Sequence, residues 1–530
     1  MNARVDGADR EAGDERVDGA VNACVDEASW RGRGAAGPGE PSATEWLARL
    51  RAGELSAREL VEATLARVDV ADARVHAVVA RDDEAALAAA DAADARRAQA
   101  ARDGEPVPPL LGLPLTIKDA LDAAGLPTLG GSLARAGIGP VARDATVVAR
   151  VRAAGAIPLL KTNVPELCAS FESDNAVFGR TNHPLDPART PGGSSGGEAA
   201  LLGADASIAG IGTDGGGSIR VPSHYVGTVG LRPTTGRTPE TGLWPATRWG
   251  GTMDFTCIGP MARHAEDLGL LLAMIAGADG RDPYAVDVPL GDWRAVDPGA
   301  LRVAFYDDHP AVPRTTPATR AAVRTAAAVF ERLGCAVEEV APFGVGYAEA
   351  AARTGAALEP TGAGERSATT LFFSAAGADG GEGMRAAVAG AERHHPQFQA
   401  LLDGSGEPLS VAAYLALQQE IHAFRSAVRA RAARYDVILS PVAAGPAPLH
   451  GTPPAGIPQA DYLRYEGFEY VHVNAVAGLP AAAVPVAVED GMPLAVQVAA
   501  PAFREDLALA AAAVLEAELG GFAINRGLGR

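Results

Sequence analysis

Several absences narrow the chemistry open to this 530-residue chain. Cysteine is scarce. Cys24, Cys168, Cys257 and Cys335 are widely scattered with no Cys-x-x-Cys pair, so neither a zinc site nor a disulfide framework is indicated. Buried free thiols in a reducing cytosol are expected instead. Basic charge is in the minority, with 46 Lys and Arg against 65 Asp and Glu and a formal net charge of -19. The stretches at Arg96-Arg97 and from Arg425 to Arg434 have helical spacing and read as solvated faces. Without a concentrated basic patch to attract a phosphate backbone, a nucleic-acid partner is not expected. No apolar stretch is long and uninterrupted enough for a membrane span, and the N-terminus lacks the apolar core of a signal peptide. A cytoplasmic protein without membrane contact is therefore expected.

What is present suits a large soluble enzyme, with 48% hydrophobic and 21% charged residues. Residues 1–40 read as a flexible tail, closed by Gly37-Pro-Gly-Glu-Pro41, and one domain over 41–530 is expected to follow. Ser42-x-x-Glu45 and Ser56-x-x-Glu59 are capping-box starts, and Asp83 to Arg102 continues the N-terminal helices over 43–102. From residue 110 to about 280, short apolar strands alternate with helices: Leu113–Ile117, the helix Ala145–Ala154, Ile157–Leu160 and Ser207–Gly212. Leu301–Phe305, the helix Pro317–Leu333 and Ala336–Val340 predict a strand–helix–strand unit. Strands at Val437–Leu439, Ala481–Val486 and Leu494–Val498, with a helix from Glu505 to about Leu519, make a C-terminal part over 435–520. The fold class is α/β, a single large domain with a mixed, mostly buried central sheet covered by helices. Residues 341–410, rich in Gly and Ala with little periodicity, read either as an insertion at the active-site mouth or as a surface excursion.

Two serines stand in runs of glycine, in Thr190-Pro-Gly-Gly-Ser-Ser-Gly-Gly-Glu198 and in Thr213-Asp-Gly-Gly-Gly-Ser-Ile-Arg220. A third element, apolar Leu113–Ile117, ends in Lys118-Asp119. Serine needs a base to become a nucleophile, and a lysine leaving an apolar strand is such a base because desolvation favours its neutral amine. Glycines leave backbone N–H groups open to an oxyanion. Blander readings exist for each piece. The first run suits a linker or a helix N-terminus, Ser194 alone suits a helix cap, and Lys118 alone suits a snorkelling surface lysine. A phosphate loop is disfavoured because its Gly-Lys-Ser/Thr ending is absent. Gly193-Ser-Ser-Gly-Gly197 also satisfies the Gly-x-Ser-x-Gly elbow with Ser195 as nucleophile and His450 or His472 in chain order, but residues 183–191 read as loop where that motif needs a strand.

Together these residues resemble the amidase signature family, in which a Gly-[Leu/Ile]-Pro-x-x-x-Lys-Asp segment supplies a lysine that pairs with a cis-peptide serine and a nucleophilic serine. Further pieces of the likeness are Lys161-Thr-Asn-Val-Pro-Glu166, Phe178-Gly-Arg-Thr-Asn-His-Pro184, Gly230-Leu-Arg-Pro-Thr234, Ile258-Gly-Pro-Met-Ala-Arg263 and Gly491-Met-Pro-Leu-Ala-Val-Gln497. It extends over roughly residues 43–520. The resemblance implies Lys118 as base, Ser194 as the bridging cis-serine and Ser218, 24 residues on, as nucleophile. Gly215, Gly216, Gly217 and Ser218 would donate to the oxyanion, while Asp214 and Arg220 would form an ion pair fixing the turn. It implies no metal and no organic cofactor.

The implied activity is hydrolysis of a carboxylic amide of a small, apolar or aryl acyl substrate through an acyl-enzyme. The chain departs from the glutaminase component of the tRNA-dependent amidotransferase, which carries Thr at the position of Gly215 and Asp-Gln-Ile-Gly near Gly259. A glutaminase of that type is therefore the alternative rather than the expectation. The Phe171–Asn182 segment and the Gly-Gly-Glu after Ser195 look more like the fatty-acid amide hydrolase branch and its bacterial relatives. Phe171, Trp244, Trp249 and Phe255 are candidates to line an apolar acyl pocket, with ordinary packing as the rival reading. The same residues leave open acyl transfer, cleavage of an unusual N-acyl bond in a biosynthetic pathway, and a non-catalytic binding scaffold. The expected partner is a small-molecule amide, and a homodimer is compatible with the sequence.

Overall fold

In a computed structural model that describes residues 41–245, 255–310, 315–343, 366–451 and 468–522, eleven strands form one mixed sheet. They are β1 (Val78–Arg81), β2 (Pro114–Lys118), β3 (Ile157–Thr162), β4 (Ala209–Asp214), β5 (Val229–Arg232) and β6 (Cys257–Ala262). The rest are β7 (Arg302–Phe305), β8 (Ala336–Glu339), β9 (Val437–Pro441), β10 (Ala481–Glu489) and β11 (Met492–Ala499). The spatial order is β1-β3-β2-β4-β6-β5-β10-β11-β9-β7-β8. β2 runs parallel to both β3 and β4, and β7 to both β8 and β9, while the central pairs are antiparallel. The α/β class, the single mixed sheet and the strand–helix–strand unit at 302–339 follow the sequence reading.

The middle of the sheet is dry, whereas β1 and β8 at its two edges are half-buried and largely exposed. Every residue of β2, β4, β5, β6, β9 and β11 is buried. Strands of this kind read as unbroken apolar runs, which made β2, β4, β9 and β11 legible without alternation, whereas β5 and β6, where Gly and Pro interrupt the run, were not anticipated. The N-terminal helices Ala43–Ala52 and Ala57–Val75 begin with the expected capping boxes, Ser42 with Glu45 and Ser56 with Glu59. β4 lies two residues later than its apolar pattern indicated, since antiparallel pairing with β6 carries it through Thr213 and Asp214, opposite Ile258 and Cys257.

Two expectations change. Arg425 and Arg429 are not idle solvated residues: their Nε atoms donate to the carbonyls of Val476 and Ala477 at 2.7 Å each, at the C-terminal end of the Glu469–Ala477 helix where cations are favoured. Of the segment 341–410, residues 344–365 lie outside the described residues, whereas residues 366–410 are helical where little periodicity was read. They fold into helices Ala368–Ala376, Glu382–Ala387 and Pro396–Asp403, and Met384, Val388, Phe398 and Leu402 pack on Leu167. The first helix is anchored by Glu469, whose carboxylate accepts the N–H groups of Ala368 and Thr369 at 2.8 Å each. Short helices rich in small residues leave little periodicity for a sequence reading to detect. The proposed N-terminal tail lies outside the described residues.

Candidate active site

β2 and β4 are parallel neighbours, and their C-terminal ends bring Lys118 beside Thr213 and Asp214. The carboxyl ends of parallel strands are where open α/β sheets hold ligands. The Lys118 side chain is fully buried. Its Nζ lies 2.6 Å from Ser194 Oγ, 2.9 Å from Ser195 Oγ, 2.7 Å from Thr213 Oγ1 and 3.3 Å from the Thr213 carbonyl. Burial pulls the Lys118 amine below its ordinary pKa; Cys168, Asp214 and Glu198 act against that shift.

Ser194 follows a cis Gly193–Ser194 peptide, and Ser195 begins the Gly196–Gly203 helix, where its Oγ donates to the Thr213 carbonyl at 3.2 Å. Residues 183–195 contain no strand, so the strand-to-helix geometry of the Ser195 elbow is not formed. Neither His450 nor His472 bonds Ser195. Glycines in β4 permit this close approach. A Cβ on Gly212 would come within 3.0 Å of Ser195 Oγ, and one on Gly210 within 2.1 Å of Glu198 Oε2.

The turn after β4 carries Ser218. Ser218 is half-buried, and its carbonyl accepts the Ser195 N–H at 3.1 Å, so the two serine segments lie side by side. Asp214 organises the turn as expected. Arg220 donates from Nε to Oδ2 and from Nη2 to Oδ1, each at 2.9 Å, with both side chains buried. Burial alone would raise the Asp214 carboxyl, but the Arg220 charge and hydrogen bonds, then Arg232 and the Ile219 N–H, hold it well below the usual carboxylate range. Gly217 adopts φ 130°, a conformation that favours glycine. Its N–H is donated to Asp214 Oδ1 at 2.7 Å. That removes Gly217 from the expected oxyanion donors. Among the described residues, the N–H groups of Gly215, Gly216 and Ser218 have no acceptor.

The four aromatic candidates separate. Phe171 packs tilted against Phe468 at 4.0 Å and meets His472 at 6.2 Å; Phe255 stacks on Phe372 at 5.5 Å. Trp244 packs elsewhere, beneath the Arg135 guanidinium at 4.4 Å and with the Leu167 cluster. Trp249 lies outside the described residues. Phe372 and Phe373, the chain's only adjacent phenylalanines, complete the aromatic side with contacts to His472 at 4.7 and 5.7 Å. That doublet was a signal available in the sequence.

Other neighbours of Lys118 were also missed. Glu198 is fully buried, bonded to Thr116 Oγ1 at 2.5 Å and Thr162 Oγ1 at 2.8 Å, and burial pushes its carboxyl up to about 7. An acidic residue in an otherwise Ala/Leu helix was its only signal. Cys168 is half-buried beside the lysine, as Cys335 is half-buried elsewhere, so only Cys257 of the three described thiols meets the expectation of burial. Asp119 turns away from the site to Lys161, 3.0 Å away in a buried pair.

Residues 59–509 match the amidase family. The A component of the glutamyl-tRNA(Gln) amidotransferase of Salinispora arenicola is 34% identical over 499 residues, covering 91% of this chain and 98% of its own length. A bacterial aryl acylamidase of the amidase signature family is similar in structure, with TM-score 0.78, 26% identity and coverage of 92% and 98%. A 6-aminohexanoate cyclic dimer hydrolase, solved with its substrate, gives TM-score 0.77, 25% identity and coverage of 92% and 99%. The likeness in sequence to that amidotransferase component favours the amidotransferase alternative over the stand-alone amidase expected from the sequence.

Proposed function

The chain belongs to the amidase family, as an enzyme acting on amide C–N bonds, and from that premise we propose that it cleaves a carboxylic amide through Ser218, Ser194 and Lys118. The observation that carries this reading is the buried Lys118 Nζ, 2.6 Å from Ser194 Oγ, beside a turn with free N–H groups. Neutral Lys118 accepts the Ser194 proton as Ser194 accepts that of Ser218, and Ser218 Oγ bonds the carbonyl carbon. The oxyanion meets the N–H groups of Gly215, Gly216 and Ser218, each such donor being worth about 3 kcal/mol in the transition state. The same relay returns the proton to the departing nitrogen as the C–N bond breaks. Water, deprotonated along the same route, then releases the acid and restores Ser218.

Two substrate readings share this chemistry. The likeness to the amidotransferase component supports a glutaminase working with protein partners. The aromatic side formed by Phe171, Phe372 and Phe373 supports a small apolar or aryl acyl group, as does the likeness to the aryl acylamidase. Acyl transfer to an amine would use the same residues, with the amine in place of water. No helix among the described residues is long and apolar enough to cross a membrane, and a cytoplasmic location is part of this proposal.

The test is fluorophosphonate labelling with mass-spectrometric mapping, followed by turnover of glutamine and of aryl and alkyl amides. Stoichiometric labelling at Ser218 that is lost or greatly slowed in Lys118→Ala is expected. Labelling at Ser195 that ignores Lys118 would overturn the mechanism. Glutamine turnover without amide turnover would decide for the glutaminase.

A further inference from the structure

Among the described residues, the aromatic side holds a buried imidazole edge without a partner. His472 is fully buried, and its Nε2 has no hydrogen bond. Leaving such a group unpaired costs about 1–3 kcal/mol. The rest of the ring is held in place. Nδ1 pairs with Thr369 Oγ1 at 2.8 Å, and Glu469 fixes the Thr369 N–H at 2.8 Å, so the imidazole cannot turn its free edge elsewhere without losing a bond. That edge faces the oxyanion turn: a Cβ on Gly216 would lie 2.9 Å from Nε2.

The surroundings define what fits there. The half-buried Phe372 ring lies over the imidazole at 4.7 Å and 32°, with Phe373 and Phe171 edge-on at 5.7 and 6.2 Å. Burial, then the nearby Arg220 charge, pushes the imidazole down to about 3, so it is a neutral hydrogen-bonding group and not an acid–base participant. A flat ring in a slot of flat rings gains offset or edge contacts, each worth about 0.5–1.5 kcal/mol. A group built to pair with a substrate hydroxyl discriminates against the analogue lacking it, because the buried partner then stays unpaired.

We propose that His472 is a specificity-determining residue, whose Nε2 binds a ring hydroxyl of an aromatic acyl group that moves Phe372 aside, stacks on its ring and lies against Gly216. This inference rests on the apolar-amide reading above. A hydroxyl both donates and accepts, so it pairs with either imidazole tautomer.

The experiment compares p-nitroanilides of benzoic acid and of its ortho-, meta- and para-hydroxy derivatives, with glutamine alongside, in wild type, His472→Phe and His472→Asn. One hydroxy isomer should exceed the parent in kcat/KM by ten-fold or more. His472→Phe should bring that ratio close to one, and His472→Asn should restore part of it. The ratio is internal to each variant, so a lower yield of folded protein cancels. A wild-type ratio near one for every isomer, or a ratio unchanged in His472→Phe, overturns the inference while leaving amide hydrolysis intact. Glutamine turnover with no anilide turnover also overturns it, in favour of the glutaminase. Loss of all turnover together with no labelling at Ser218 overturns the mechanism and this inference with it.

Discussion

The two sides of the Gly215–Ser218 turn are built on opposite principles. On one side Lys118, Ser194, Ser195 and Thr213 form a closed polar network in which the amine meets four oxygens within 3.3 Å. On the other, rings from two separate segments meet around His472, whose Nε2 is orphaned. Fully satisfied networks rigidify a site, whereas an unsatisfied group holds free energy that a ligand can recover. The polar side is thus suited to chemistry that must not vary, and the aromatic side to choosing what is presented to it.

The most drastic way to break that comparison is to dismantle the polar side. Lys118→Met and Ser218→Ala should each lower kcat by on the order of 10⁴-fold or more, and the double variant should be little worse than either single one, since the residues act as a unit. Steady-state kinetics of the three variants checks this; additive losses would mean that the two residues act separately. Next comes the turn. Asp214→Asn leaves Arg220 buried without its charge partner and should cost about 3–5 kcal/mol in denaturant unfolding. A change under about 1 kcal/mol would show that the pair does not hold the turn.

A smaller change sharpens the polar side instead. The Glu198 pKa is raised in the fold, so its contribution to stability is fully present below about 4.5 and is lost as pH rises through about 7. Glu198→Gln removes that loss, so the variant should gain up to roughly 3 kcal/mol relative to wild type above neutral pH. It also removes a negative charge that helps Lys118 keep its proton. The rising limb of kcat against pH should therefore move to lower pH. A limb that stays put would separate Glu198 from the base.

How far each side could be read from the sequence follows from how it is assembled. Ser194 and Ser218 lie on the flanks of one helix–strand unit, and Lys118 ends the adjoining parallel strand, so glycine runs and an apolar strand marked the three, and the family resemblance supplied their roles. The same glycines suggested four equivalent oxyanion donors. Only the fold shows that the Gly217 N–H is taken by Asp214. The aromatic side had no such unit. Phe171, the Phe372-Phe373 pair and His472 lie far apart in the chain, and the helix carrying the pair is only nine residues long. Trp244 looked like their equal by type, but packing under Arg135 takes it to another cluster. Residue type without the tertiary pairing could not separate them.

The smallest expected effect tests whether the aromatic side chooses or merely fills space. Phe372 lies between His472 at 4.7 Å and Phe255 at 5.5 Å, and its Cζ shares with His472 Nε2 the space beside Gly216, where a Cβ would meet them at 3.0 and 2.9 Å. Phe372→Ala therefore has two opposing consequences. It removes a stacking partner for an aryl substrate, which should raise KM for the benzoyl anilide by about two- to ten-fold, the size of one aromatic pair. It also uncovers His472 Nε2, which favours the hydroxylated acyl group. KM for the preferred hydroxy isomer should rise by a smaller factor than KM for the parent, and the discrimination between them should widen. Equal increases for both substrates would make Phe372 plain packing, and the two sides of the turn would then differ in composition but not in purpose.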